Sequence, residues 1–175
     1  MKKVWLIMGS DSDLSHMSSA AKTLEEFGVP YEMTIASAHR CTDFVTEKAK
    51  GLIERDFGVV IAAAGMSAHL PGVIAGSTPL PVIGVPLASG PLQGADALHS
   101  IVQMPTGVPV ATVAINGTKN AALLAVQILS LSNAELATRF AGYKSDLSKE
   151  VLKKNDHLQK VGYTAYLQET GMVIK

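Results

Sequence analysis

Gly58-Val59-Val60-Ile61-Ala62-Ala63-Ala64 is an unbroken apolar run, and it leads directly into Gly65-Met66-Ser67-Ala68-His69. A strand with one wet face alternates apolar and polar residues. An apolar run without alternation predicts a central strand covered on both faces, as in a parallel sheet held between helices. The flanking sequence fits that reading. Upstream, residues 4–8 and 31–36 are short apolar runs. Between them residues 14–27 carry Leu14, Met17, Ala21, Leu24 and Phe27 at helical spacing, with Gly28 suited to the C-terminal cap. Thr42 is suited to cap a second helix bearing Phe44, Val45, Ala49 and Leu52. Downstream, Pro71 fits the first turn of a short helix, and residues 81–85 read as a fourth strand. After a Gly/Pro-rich loop to Gly94, residues 95–103 read as a helix and 108–115 as a fifth strand. Residues 120–131 form a strongly apolar helix, and 134–154 a more polar one. The expectation is one α/β domain over residues 1–175, an αβα sandwich with a C-terminal helical extension.

Composition narrows the class. Of 175 residues 47% are hydrophobic, 17% are charged, and mean hydropathy is +0.25. An average soluble domain has roughly 25% charged residues, so a disordered or highly solvated chain is excluded and an oligomer is expected. Fifteen basic residues balance fifteen acidic ones, which argues against a general nucleic-acid or anionic-membrane binder. A single cysteine, Cys41, leaves no internal disulfide framework and no multi-cysteine zinc site. The opening Met1-Lys2-Lys3 followed by apolar residues looks like the start of a signal peptide. Gly9-Ser10-Asp11 ends that apolar run too early, and no stretch approaches the roughly 18 apolar residues of a membrane span. A cytoplasmic address is expected.

In an open parallel sheet, ligands bind beyond the carboxyl ends of the strands. Three such ends here are polar: Gly9-Ser10-Asp11-Ser12-Asp13, Ser37-Ala38-His39-Arg40 and Gly65-Met66-Ser67-Ala68-His69. In the first, the serines suit a phosphate and a carboxylate suits ribose hydroxyls; equally, Ser12 or Asp13 can simply cap the next helix. The missing second and third glycines exclude a dinucleotide fingerprint. In the second, Arg40 offers a fork for phosphate, and His39 a side chain that exchanges protons near neutrality. His69 is balanced between a structural and a chemical role. His16 and His99 fall on helices and His157 in the tail, and all three read as structural or solvated. Cys41 reads as a small packed thiol. Asp11, Asp13, His39 and His69 lack diagnostic metal-ligand spacing, so no metal is expected. Tyr163, Tyr166, Leu167, Met172, Val173 and Ile174 make the tail too apolar to stand in solvent.

These loops, with Ala68-His69-Leu70-Pro71-Gly72, Ser100-Ile101-Val102-Gln103-Met104-Pro105 and Asn120-Ala121-Ala122-Leu123-Leu124-Ala125, occur in an order that resembles the class I N5-carboxyaminoimidazole ribonucleotide mutase family of purine (IMP) biosynthesis. The resemblance covers about residues 3–150. It implies a flavodoxin-like three-layer sandwich, a homo-octamer, and transfer of a carboxylate from the exocyclic nitrogen of an imidazole ribonucleotide to C4. It implies no ATP, metal or organic cofactor. By motif, Ser10 contacts the substrate and Asp13 the ribose, while Ser12, Ser37 and Arg40 hold the phosphate. His39 is the catalytic histidine, and His69 lies beside the reacting carboxylate. Two features depart from the family. Cys41-Thr42-Asp43 stands where many members have Thr-Pro, and the segment 115–120 is short, as in the class II enzymes that carboxylate aminoimidazole ribonucleotide directly. The His-Leu-Pro run of the third loop favours class I. A non-catalytic flavin- or nucleotide-binding module is the remote alternative, since the fold alone does not decide function.

Overall fold

The structure is a computed structural model that describes residues 1–173. Ile174 of the apolar tail, and residue 175, lie outside the described residues. Five parallel strands run in the order β2-β1-β3-β4-β5: β1 (Lys3–Met8), β2 (Tyr31–Ile35), β3 (Phe57–Gly65), β4 (Val82–Leu87) and β5 (Ala111–Thr112). The helices are α1 (Leu14–Glu26), α2 (Thr42–Lys50), α3 (Leu70–Ala75), α4 (Ala95–Val102), α5 (Thr118–Ser130) and α6 (Ala134–Thr170). A short 3-10 turn, Asp11–Asp13, leads into α1.

The pleat of β1 shows why the run at residues 58–64 decides the fold. Val4, Leu6 and Met8 point into a core shared with Met17 and Leu24 of α1 and with Ala121, Ala125 and Val126 of α5. Trp5 and Ile7 point into a second core with Val45 and Ala49 of α2, Leu70 and Ile74 of α3, and Ile101 of α4. Each strand residue therefore meets helices whichever face it takes. All of β4 and all but the ends of β1 and β3 are buried or nearly so. Each large side chain fully removed from water contributes roughly 1.5–3 kcal/mol. Together, two covered faces and the 2-1-3-4-5 order make this a flavodoxin-like α/β sandwich.

Three local expectations need correction. Thr42 does not cap α2: it is the first helical residue, its hydroxyl donates to Ala38 O at 2.5 Å, and the cap position is held by Cys41, whose side chain makes no capping bond to the helix. The fifth strand is two residues long rather than eight. Pro109 has no N–H for a ladder, so the apolar residues around it cannot extend the pairing. The last helix runs well past residue 154. Asn133 caps it, its Oδ1 accepting from Leu136 N at 2.9 Å, and it continues to Thr170 with one break at Gly162 (φ 76°, ψ 162°). Beyond that break the chain folds back. His157 and Glu169 would be about 18 Å apart on a straight helix, yet Nε2 and Oε2 are 2.5 Å apart and the His157 ring also lies tilted against Tyr166.

Candidate functional site

β1 and β2 lie on one side of the topological switch and β3 and β4 on the other, so the loops after β1 and β3 diverge and leave a crevice. A cleft of about 450 Å³ occupies it. Ser10, Ser12, Asp13, Ser37, His39, Arg40 and His69, the seven side chains singled out in the sequence, all line it.

The first loop is held by a capping box. Ser10 Oγ accepts from Ser12 N at 3.4 Å, and Asp13 Oδ2 accepts from Ser10 N at 3.2 Å. The capping side chain is Ser10 rather than Ser12 or Asp13, and the capping residues also line the cleft. Burial raises the Asp13 carboxyl above its ordinary pKa, opposed by the Ser10 N–H and by His16. A half-buried acceptor of this kind gains from donors brought by a ligand, such as ribose hydroxyls.

The second loop follows β2 as a tight turn in which Arg40 N and Cys41 N both donate to Ser37 O. Arg40 Nη2 donates to Gly9 O at 3.0 Å, so the guanidinium bridges two loops while its remaining N–H groups stay available. His39 and Arg40 are exposed at the mouth, where both side chains can reach a ligand. Cys41 is half-buried and its thiol donates to Ser37 O at 3.1 Å, in keeping with a packed thiol.

The third loop leaves β3 through Met66, whose φ of 55° is in the left-handed region. His69 is half-buried, and its Nδ1 lies 2.5 Å from Ser100 O at the far end of α4. A carbonyl only accepts, so Nδ1 carries the hydrogen and the neutral ring keeps its lone pair on Nε2. The ring lies over Gly72, where any Cβ would overlap it. Glycine at this position is what allows the ring to sit there.

One lining residue escaped the sequence reading. Ser89, two residues beyond β4, reaches into the cleft across Gly65. It lay in a segment read only as a Gly/Pro-rich loop. The rule that singled out the other three strand ends applies to this one as well. Among the described residues, no three His, Cys, Asp or Glu side chains gather in a metal-holding arrangement, and no helix is long and apolar enough to cross a membrane.

A doubly wound sheet with a hydroxyl-rich crevice that holds an arginine, an aspartate and two histidines at its switch point has the form of a nucleotide-handling α/β enzyme. Residues 3–150 match the AIR carboxylase family, and the chain belongs to it. It is 54% identical to the N5-carboxyaminoimidazole ribonucleotide mutase of Thermotoga maritima, over 97% of this chain and 99% of that one. It is 53% identical to the phosphoribosylaminoimidazole carboxylase of Schizosaccharomyces pombe, over 93% of this chain but 30% of that protein. Among solved structures, Treponema denticola PurE superposes with a TM-score of 0.83 at 32% identity, covering 93% of this chain and all of that one.

Proposed function

We propose that this chain is a mutase that moves the carboxylate of N5-carboxyaminoimidazole ribonucleotide from the exocyclic nitrogen to C4, in purine biosynthesis. The observation that carries the reading is the single cleft in which Arg40 and the Ser10–Asp13 capping box face His39 and His69. The near full-length match to free-standing mutases supports it. Ser12, Ser37 and Arg40 hold the 5′-phosphate, Ser10 contacts the substrate, and Asp13 accepts from the ribose.

His39 is the proton carrier. As imidazolium it gives its proton to the exocyclic nitrogen while the nitrogen–carbon bond of the carbamate breaks, which releases carbon dioxide and leaves a free amino group. The electron-rich C4 then attacks carbon dioxide and forms the new carbon–carbon bond. The neutral imidazole takes the proton from C4, which restores the aromatic ring and the starting charge on His39. No proton or electron is lost over the cycle. Holding carbon dioxide against C4 supplies much of the rate through proximity. His69 stands beside the migrating group, with its tautomer fixed by the Ser100 carbonyl.

The reading extends to a single catalytic domain over residues 1–175 that works as a cytoplasmic homo-octamer, with the stretch 155–175 packing on neighbouring copies. Leu131 at 89% exposure, and Val151, Leu152 and Tyr163, each more than half exposed, support an assembly. Light scattering is expected to find several times the 18.4 kDa of one chain, and a monomer under assay conditions contradicts it. The decisive assay gives the purified protein the N5-carboxylated ribonucleotide at low bicarbonate without ATP. The expected result is the C4 carboxylate without net uptake of carbon dioxide. Activity only on aminoimidazole ribonucleotide plus carbon dioxide makes it the direct carboxylase, and a yellow, inactive protein makes it a flavin-binding module.

A further inference from the structure

Four serine hydroxyls line the cleft. Ser12 Oγ donates to Ser10 Oγ at 3.0 Å, and Ser10 Oγ to Asp11 Oδ1 at 3.1 Å, so these two are engaged with each other and the loop. The hydroxyls of Ser37 and Ser89 make no side-chain hydrogen bond among the described residues. They sit at opposite ends of the cleft, because Ser37 follows β2, Ser89 follows β4, and β1 and β3 lie between. Three strand spacings separate these ends, roughly 14 Å, enough for a nucleotide to lie lengthwise. At the Ser37 end stands Arg40, the one permanent cation of the lining. At the Ser89 end stand Gly65 and the loop to His69, with no fixed charge.

Ser89 is also firmly placed. The preceding residue donates from Ala88 N to Asn116 Oδ1 at 2.9 Å. Gly94 (φ 89°) packs so closely on the Ala88 backbone that a Cβ there would come within 3.1 Å of it. Across the cleft floor, Gly65 leaves the space in which the Ser89 hydroxyl stands, since a Cβ on Gly65 would overlap Oγ. A fixed hydroxyl with no protein partner, on the wall farthest from the cation, is a donor kept for the ligand.

We propose that the Ser89 hydroxyl is a further substrate-binding group, donating a hydrogen bond to an oxygen of the carboxyl unit as that unit passes from nitrogen to C4. The assignment rests on the mutase reading above. With the phosphate at Arg40 and the ribose at Asp13, the imidazole and its carboxyl group extend toward β3 and β4, where Ser89 is. Ser89 keeps its proton throughout. The bonds that change are those at the exocyclic nitrogen and at C4. Negative charge leaves the carboxyl oxygens when carbon dioxide forms and returns as C4 attacks it. A donor already in place favours that return over escape.

The test uses substrate labelled with ¹³C in its carboxyl group, in unlabelled bicarbonate. Two quantities are read: label retained in the C4 carboxylate, and free aminoimidazole ribonucleotide released per turnover. In Ser89→Ala, release is expected to rise about tenfold over wild type, the effect of one lost hydrogen bond to a charged group. KM should stay within about threefold and the circular dichroism spectrum should not change. Arg40→Ala should raise KM with retention unaltered, which separates the two ends of the cleft. If Ser89→Ala retains label as well as wild type, or raises KM alone, the assignment is overturned while the mutase reading stands. If the wild-type protein converts none of the substrate, both fall.

Discussion

In the sheet, apolar side chains find partners within their own chain: Ile61 of β3 is fully buried, as are Leu6, Val85 and Met17 around it. On α6 the first three turns behave likewise, with Leu136 buried and Phe140 and Tyr143 packed against Phe27. Beyond Tyr143 the same helix keeps apolar residues but loses its neighbours. Every residue from 144 to 157 is exposed, including Leu147, Val151 and Leu152. An apolar pattern alone therefore does not say who buries it. On β3 the next elements of the chain return to cover each face. The helix past Tyr143 leaves the body, and among the described residues only its own return beyond Gly162 comes back against it, at His157.

The largest expected effect concerns the body and its cleft. His39→Asn should leave the fold and ribonucleotide affinity intact and lower turnover by about 10²–10⁴-fold, the usual contribution of a general acid–base group. A variant retaining more than about a hundredth of wild-type kcat takes His39 out of the proton path.

Stability sharpens the contrast between body and arm. Ile61→Ala should cost about 2–5 kcal/mol in denaturant unfolding, since β3 has no freedom to close the cavity. The double change Val151→Ser and Leu152→Ser should alter the unfolding of the dissociated subunit by less than about 0.5 kcal/mol, while moving the sedimentation profile toward smaller species. An arm variant that destabilises the isolated subunit as much as Ile61→Ala breaks the comparison.

The smallest effect is electrostatic. Lys48 donates to Glu32 at 2.5 Å and Arg55 at 2.9 Å, and the Lys48 bond is the main reason the Glu32 carboxyl is held below its ordinary pKa of 4.5. A lowered folded value means the pair stabilises the fold above that ordinary value, and the gain is lost as pH falls through the folded one. Glu32 is 35% exposed, so Glu32→Gln should cost only about 0.5–1 kcal/mol at neutral pH. The difference from wild type should shrink as pH falls below 4.5 in urea titrations. A difference that widens in acid contradicts the pairing.

Much of this was legible in the residues. The run at 58–64 reveals its own environment because a strand buried on both faces cannot alternate. The first three polar strand ends were legible because chemistry at the carboxyl edge needs groups that a turn does not. The fifth strand was overread because Val108, Val110 and Val113 look like a ladder until the N–H missing at Pro109 is counted. The last helix was underread because Asn155, Asp156 and His157 look like its end, whereas polar residues simply mark a helix surrounded by water. Ser89 was hidden by Gly90 and Pro91, which signal a turn and nothing about the side chain beside them. The return of the chain at Gly162 shows in the backbone angles there and in the contacts of His157 with Tyr166 and Glu169, nine and twelve residues away.

The shortness of β5 carries a last consequence. An open sheet has two borders, and each is a row of backbone groups on which another strand can build, in growth that has no natural stop. Here one border offers two residues, Ala111 and Thr112, which begin two positions after Pro109. The other, β2, places Glu32 among Lys48 and Arg55 and closes Thr34 with bonds from Trp5 and Lys48. Neither invites lateral addition. Contact between copies of this chain is thereby left to its helices and loops.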